Sequence, residues 1–250
     1  LKHLSALVQD HNRHIISTSI EILKNLEQPL VTAEIRPKYA GFIRNHFGSL
    51  ARELGWQPHA GEDNNTILLR KDLLPFIVEK GDDPELGKEA YKLATQWVND
   101  HKAVDPEMVG GVLCAAATHG DDALLNLYGQ AAQKAQDPEE RSAIFFAMSC
   151  FENPEVAKKV FQIAVSKDFD IRDSLSAIWE MQMHPATGEL VYDFVTKNVD
   201  TLASRLPRGY DAELPRVGQV FCDEEHANQV ESFFRPRATK ISGAPRLLDQ

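Results

Sequence analysis

Of the nine histidines in this 250-residue chain, only His11 and His14 stand close enough to suggest a shared ligand. On a helix, His-x-x-His puts both rings on one side, as a metal pair would be. Zinc as a rule needs a third protein ligand, and the chain has no His-Glu-x-x-His and no acid at metalloprotease spacing. Partly exposed surface histidines are the better reading. No Gly-x-Ser-x-Gly elbow, Gly-x-Gly-x-x-Gly loop or P-loop is present. Gly110-Gly111 lies in an apolar helical stretch, where close helix approach explains it better than phosphate binding. Cys114, Cys150 and Cys222 are an odd and widely spaced set, not a disulfide framework. Cys114 and Cys150 sit among apolar residues without a basic neighbour and read as small buried hydrophobes. Arg235, Arg237 and Lys240 form a small basic loop around Pro236, read as solvated. The residues alone therefore point to a binding or scaffolding module without visible catalytic apparatus.

The elements that position these residues are helices. Asp83-Pro84-Glu85, Asp105-Pro106-Glu107, Asp137-Pro138-Glu139 and Asn153-Pro154-Glu155 repeat one start signal. The Asp or Asn oxygen caps a free N–H, proline loses no bond at the next position, and glutamate faces the positive helix end. Apolar spacing after the marks is helical, as in Leu86, Ala90, Leu93, Ala94 and Trp97. About twelve helices follow, over 1–27, 34–54, 64–80, 84–101, 105–119, 121–135, 137–150, 153–167, 170–183, 186–205, 212–221 and 223–235, with a last one from about 243. Trp56, Trp97 and Trp179 read as core, and Asp121-Asp122 and Asp223-Glu224-Glu225 as first helical turns. Starts at 105, 137 and 170 are 32 and 33 residues apart, near the period of two-helix repeats. The expected fold is all-α, an irregular α-solenoid of antiparallel helix hairpins (HEAT- or armadillo-like) forming a single helical domain over 1–250, with its concave face for partners.

Composition narrows the partners. Lys plus Arg number 27 and Asp plus Glu 37, a net charge of 27 − 37 = −10, which argues against a nucleic-acid surface. Hydrophobic residues at 43% suit a globular chain rather than a disordered one, and no apolar run reaches membrane-span length. The chain opens at Leu1 inside a helical pattern and reads as a piece of something longer, so the lack of a signal peptide leaves its localisation unknown.

Several motifs, in one order over about residues 30–250, resemble the C-terminal helical domain of the M1 zinc aminopeptidases, the family of aminopeptidase N and the antigen-trimming aminopeptidases. Arg36-Pro37-x-Tyr39 running into Leu54-Gly55-Trp56-Gln57-Pro58 is similar to that domain's Arg…Tyr helix and Leu-Gly-Trp corner. Gly81-Asp82-Asp83-Pro84 with the Trp97 helix resembles the next hairpin, and Asn153–Val165 with Phe169–Asp173 the following repeat. Pro185–Val195, Asn198-Val199 and Phe221-Cys222-x-Glu224-Glu225 through Phe233-Phe234 resemble its later segments. The resemblance implies a lid that packs on an N-terminal catalytic domain and closes a chamber over the distal part of a peptide substrate. It implies zinc in that upstream domain and no metal, cofactor or catalytic residue in this piece. Some members hold the peptide C-terminus with a basic residue just before an Asn-Pro segment; here the place reads Met183-His184-Pro185. His184, charged only when protonated, and Arg172 in the preceding inter-helix turn are the candidate chamber residues. A free-standing HEAT-like protein-binding scaffold is the alternative that the same caps and stripes allow.

Overall fold

In the computed structural model, residues 12–207, 209–238 and 248 are described, 28 and 29 by their backbone only. Among the described residues there are twelve α-helices, three short 3-10 helices and no strand. The helices are α1 (Arg13–Leu30), α2 (Arg36–Leu54), α3 (Asn64–Glu79), α4 (Pro84–Asn99), α5 (Val109–Thr118), α6 (Asp122–Lys134), α7 (Pro138–Ser149), α8 (Pro154–Ala164), α9 (Ile171–Met181), α10 (Gly188–Lys197), α11 (Val199–Arg205) and α12 (Glu224–Phe234). The fold is all-α.

Side-chain caps set most starts. Asp83 Oδ1 accepts from the N–H groups of Glu85 and Leu86, Asp137 from Glu139, and Asn153 from Glu155 and Val156. Asn12, Asp63, Asp170 and Asp223 cap α1, α3, α9 and α12 in the same way. The fourth start mark behaves differently. Asp105 accepts from Glu107 N–H at 2.9 Å, but Met108 N–H bonds back to the Asp105 carbonyl at 2.8 Å, closing a turn, and α5 begins only at Val109. The helix expected over 186–205 is two helices broken at Asn198, whose side-chain amide donates to the Phe194 carbonyl at 2.7 Å and competes with the backbone ladder. The stretch expected as a helix over 212–221 is a 3-10 helix, Tyr210–Gly218, with Pro215 inside it. The final helix expected from 243 lies outside the described residues except for Leu248.

The chain divides into two compact units, 1–128 and 129–250. In the first, α3 is the hub. It packs on α1, α2, α4 and α5, and α4 packs on α5. Leu73, Leu74, Phe76 and Ile77 of α3 are fully buried with Ile43 and Phe47 of α2. Burial of each such side chain contributes about 1.5–3 kcal/mol. Gly111 is where α5 meets α3, since a Cβ there would stand 2.8 Å from Pro75 Cγ. That confirms close helix approach as the reason for this glycine. Trp56 and Trp97 are buried, as expected, and Trp179 of the second unit is half-buried.

In the second unit α9 is the hub, packed on α7, α8 and α10. Aromatic pairs fasten the layers. Phe145 meets Phe169 edge-on at 5.0 Å, Phe161 meets Phe194 at 4.9 Å, and Tyr192 meets Phe221 edge-on at 5.6 Å.

Candidate functional site

The two chamber candidates flank helix α9, Arg172 in its first turn and His184 just beyond its end. Arg172 is its second residue. Its Nε donates to both Asp170 oxygens, at 2.9 and 3.1 Å, and its Nη2 meets Asp170 Oδ2 as well. Asp170 is also the N-cap, accepting from the Arg172 N–H at 2.9 Å. These bonds from Arg172 hold the Asp170 carboxyl well below the usual carboxylate range and push the guanidinium up. The pair is exposed, so it contributes little to stability. Tyr210, itself exposed, lies near enough for its charge state to affect Arg172.

His184 sits past the other end of α9, in the tight turn to α10. Its N–H donates to the Met181 carbonyl at 3.3 Å, and its carbonyl accepts from Thr187 and Gly188. Thr187 is buried and its hydroxyl donates to the Met181 carbonyl at 2.6 Å. A Cβ at Gly188 would stand 2.8 Å from the Gln182 carbonyl oxygen, so the turn needs glycine there. Nine helical steps, about 13.5 Å of rise, run from Arg172 to the end of α9 at Met181, and the turn to His184 follows.

The most heavily bonded side chain described in the first unit was not among the sequence candidates. Arg70 of α3 has no exposed surface. Its Nε donates to the carbonyls of Gly55 at 2.9 Å and Leu54 at 3.2 Å, and its Nη2 to Leu54 at 3.1 Å. Its Nη1 donates to Glu62 Oε2 at 2.7 Å, with a second bond from Nη2 to Oε1. The Arg70 bonds pull the Glu62 carboxyl below its ordinary value of 4.5. Gly55 holds φ 58° and ψ 173°, a region open essentially only to glycine. That conformation turns the chain so that Trp56 is buried and its indole N–H donates to the Leu86 carbonyl at 3.1 Å. One arginine thus latches the end of α2 to α3, while Trp56 ties the same corner to α4.

A second anchor lies at the α3–α4 turn. Asp83 is fully buried, caps α4, and meets Arg52 of α2 at 2.7 Å. A third joins Glu27 of α1 to Arg36 at 2.9 Å and Lys80 at 3.0 Å. Beside it the Tyr39 hydroxyl donates to the Leu23 carbonyl at 3.0 Å. Burial and the nearby Glu27 charge push that phenol up to about 12.

The profile of the ERAP1-like C-terminal domain matches residues 1–250, the whole chain. The chain belongs to that family. The ERAP1-like domain is the C-terminal domain of ERAP1-like M1 aminopeptidases, as the motif order implied. Its Leu54-Gly55-Trp56 corner is the site of the Arg70 latch, and its Gly81-Asp82-Asp83-Pro84 turn is built on the buried Asp83.

Among the described residues no group of three or more His, Cys, Asp or Glu side chains is placed to hold a metal ion. His14 is exposed at the start of α1, and His11 lies outside the described residues, as does Lys240 of the basic loop. Arg235 pairs with Glu231 at 2.6 Å. No described helix is long and apolar enough to cross a membrane. The cysteines require a correction. Cys114 and Cys150 are buried as expected, but both are disulfide-bonded, and only Cys222 is a free, exposed thiol.

Proposed function

We propose that residues 1–250 act as one helical domain, an irregular α-solenoid, that closes the substrate chamber of an M1-type zinc aminopeptidase removing N-terminal residues from peptides. Zinc and the reacting groups belong to the N-terminal catalytic domain, which is this domain's first partner. The observation that carries the reading is the family match over the full chain, together with a sequence that holds no His-Glu-x-x-His.

What supports a lining role is the way the helices pack. Within 1–128, α1, α3 and α5 touch successively, whereas α2 and α4 are bridged mainly through α3. Rods on the inside of a bend lie closer than those outside it. That favours α1, α3 and α5 as the inner layer of residues 1–128. In 129–250, Arg172 and His184 would meet the distal part of a peptide. A peptide carboxylate would take Arg172 from Asp170, which costs little because the pair is exposed. Closure of such a lid excludes water and commits the substrate.

Two measurements test this. The purified 250-residue chain is expected to leave an aminoacyl reporter intact; hydrolysis that co-elutes with it on size exclusion and resists contaminant controls refutes the reading. In the parent enzyme, Arg172→Ala is expected to raise KM for peptides with a free C-terminal carboxylate and to leave their C-terminal amides unchanged. Equal effects on acid and amide remove Arg172 from the chamber.

A further inference from the structure

Two clefts flank α10. One, about 340 Å³, is lined by Lys158, Phe161, Leu190, Asp193, Phe194 and Lys197 from α8 and α10. The other, about 630 Å³ and wider open, is lined by Tyr192, Thr196, Lys197, Gln229, Phe233 and Arg237 from α10, α12 and the 3-10 turn that follows. Lys197 lines both, and the two clefts are taken together as one candidate groove across α8, α10 and α12.

The chemistry of this groove differs from that of the chain as a whole. The chain carries a net charge of −10, yet these lining residues include three cations, Lys158, Lys197 and Arg237, against one carboxylate, Asp193. Lys158 pairs with Glu155 at 2.7 Å and Lys197 with Asp193 at 2.8 Å. Both are exposed pairs within one helix, which a ligand carboxylate exchanges at little cost. Arg237 meets no carboxylate among the described residues. Its guanidinium lies over the Phe233 ring, 4.0 Å from the centroid, and is held by an Nη1 bond to the Phe233 carbonyl at 2.7 Å. An arginine held this way over a ring keeps its charge available and loses little freedom on binding. Phe161 and Phe194, packed at 4.9 Å, form an apolar floor under the lysines. Thr196 and Gln229 add neutral hydrogen-bonding groups between the cations.

We propose that this groove docks an extended acidic segment of a partner protein. Its carboxylates lie along Lys158, Lys197 and Arg237, and an aromatic or aliphatic side chain between them rests on Phe194 or Tyr192. A lone small anion would engage one cation and leave the apolar floor bare. The groove shares no residue with α9 or the turns that carry Arg172 and His184, so it stands or falls apart from the chamber reading.

Fluorescence anisotropy of the 250-residue chain tests it, with two labelled peptides as probes: acetyl-Asp-Glu-Phe-Asp-Glu-Leu-Asp and its Asn/Gln counterpart. The acidic peptide is expected to bind at least about tenfold more tightly than the neutral one, and less tightly as salt rises. Lys197→Glu with Arg237→Glu is expected to remove that preference, and Lys88→Glu, an exposed lysine on α4, to leave it intact. Lys197→Gln with Arg237→Gln gives an intermediate loss, and an unchanged far-UV spectrum and melting curve show that each variant is folded. Equal binding of the two peptides, no binding of either, or an acidic preference that survives the charge reversal overturns the proposal. Binding to phosphatidylserine vesicles that the reversal abolishes, with the peptides silent, assigns the groove to a lipid surface and overturns it too.

Discussion

Arg70 shows how much one side chain can organise when its charge and its hydrogen bonds are met at once. Its cation is buried, and Glu62 and two carbonyls satisfy it. Arg70→Met leaves those acceptors without a partner and is expected to cost about 3 kcal/mol in denaturant unfolding. Glu62 gives the same latch a pH signature. Its folded pKa lies below 4.5, so the stability it contributes is full above that value and is lost as pH falls through the folded pKa. The stability gap between wild type and Glu62→Gln is expected to be flat near neutrality and to close in acid; a gap that widens in acid contradicts the assignment. Arg70 was legible in principle, because it falls on the helical stripe of Leu73, Leu74 and Ile77, where a charge must find partners. Which partners it finds depends on how Gly55 turns the chain, and spacing does not carry that. The two adjacent glycines of α5 offer a sharper contrast. Gly111→Ala pushes on Pro75 and is expected to destabilise by about 1–3 kcal/mol. Gly110→Ala meets nothing within 4 Å and is expected to stabilise by up to about 1 kcal/mol through helix propensity. Thermal melts of the two variants should move in opposite directions.

At the level of the element, helix starts were the most legible feature, because a cap is a local event. Asp83, Asp137 and Asn153 cap where the Pro-Glu signal placed them. Asp105 carries the same three letters, yet its turn closes on Met108 before a helix can begin. Asn198 was read as part of one helix, although an asparagine that bonds the carbonyl four residues back is a known way to break one. Equal signals do not imply equal energies. Asp83 is buried and also holds Arg52, whereas Asp137 is exposed. Asp83→Ala is expected to cost about 2 kcal/mol or more, and Asp137→Ala about 1 kcal/mol. Equal losses in chemical denaturation would show that the Arg52 contact adds nothing to the cap.

For the whole molecule, helix content and family were readable from the order of weak motifs, but covalent pairing was not. Cys114 and Cys150 are each disulfide-bonded, and with apolar neighbours at both positions no spacing rule states it. Native, unreduced protein is expected to take one iodoacetamide label, at Cys222. The other two sites should appear only after reduction and unfolding; three labels without reductant contradict the linkage. The Arg70 latch carries a consequence of another kind. It joins residues only 8 to 16 positions apart, so its loops close early and at small entropic cost. The segment from the end of α2 into α3 should thus be among the last to exchange its amide hydrogens in deuterated water, outlasting segments of the chain that have no such internal clasp.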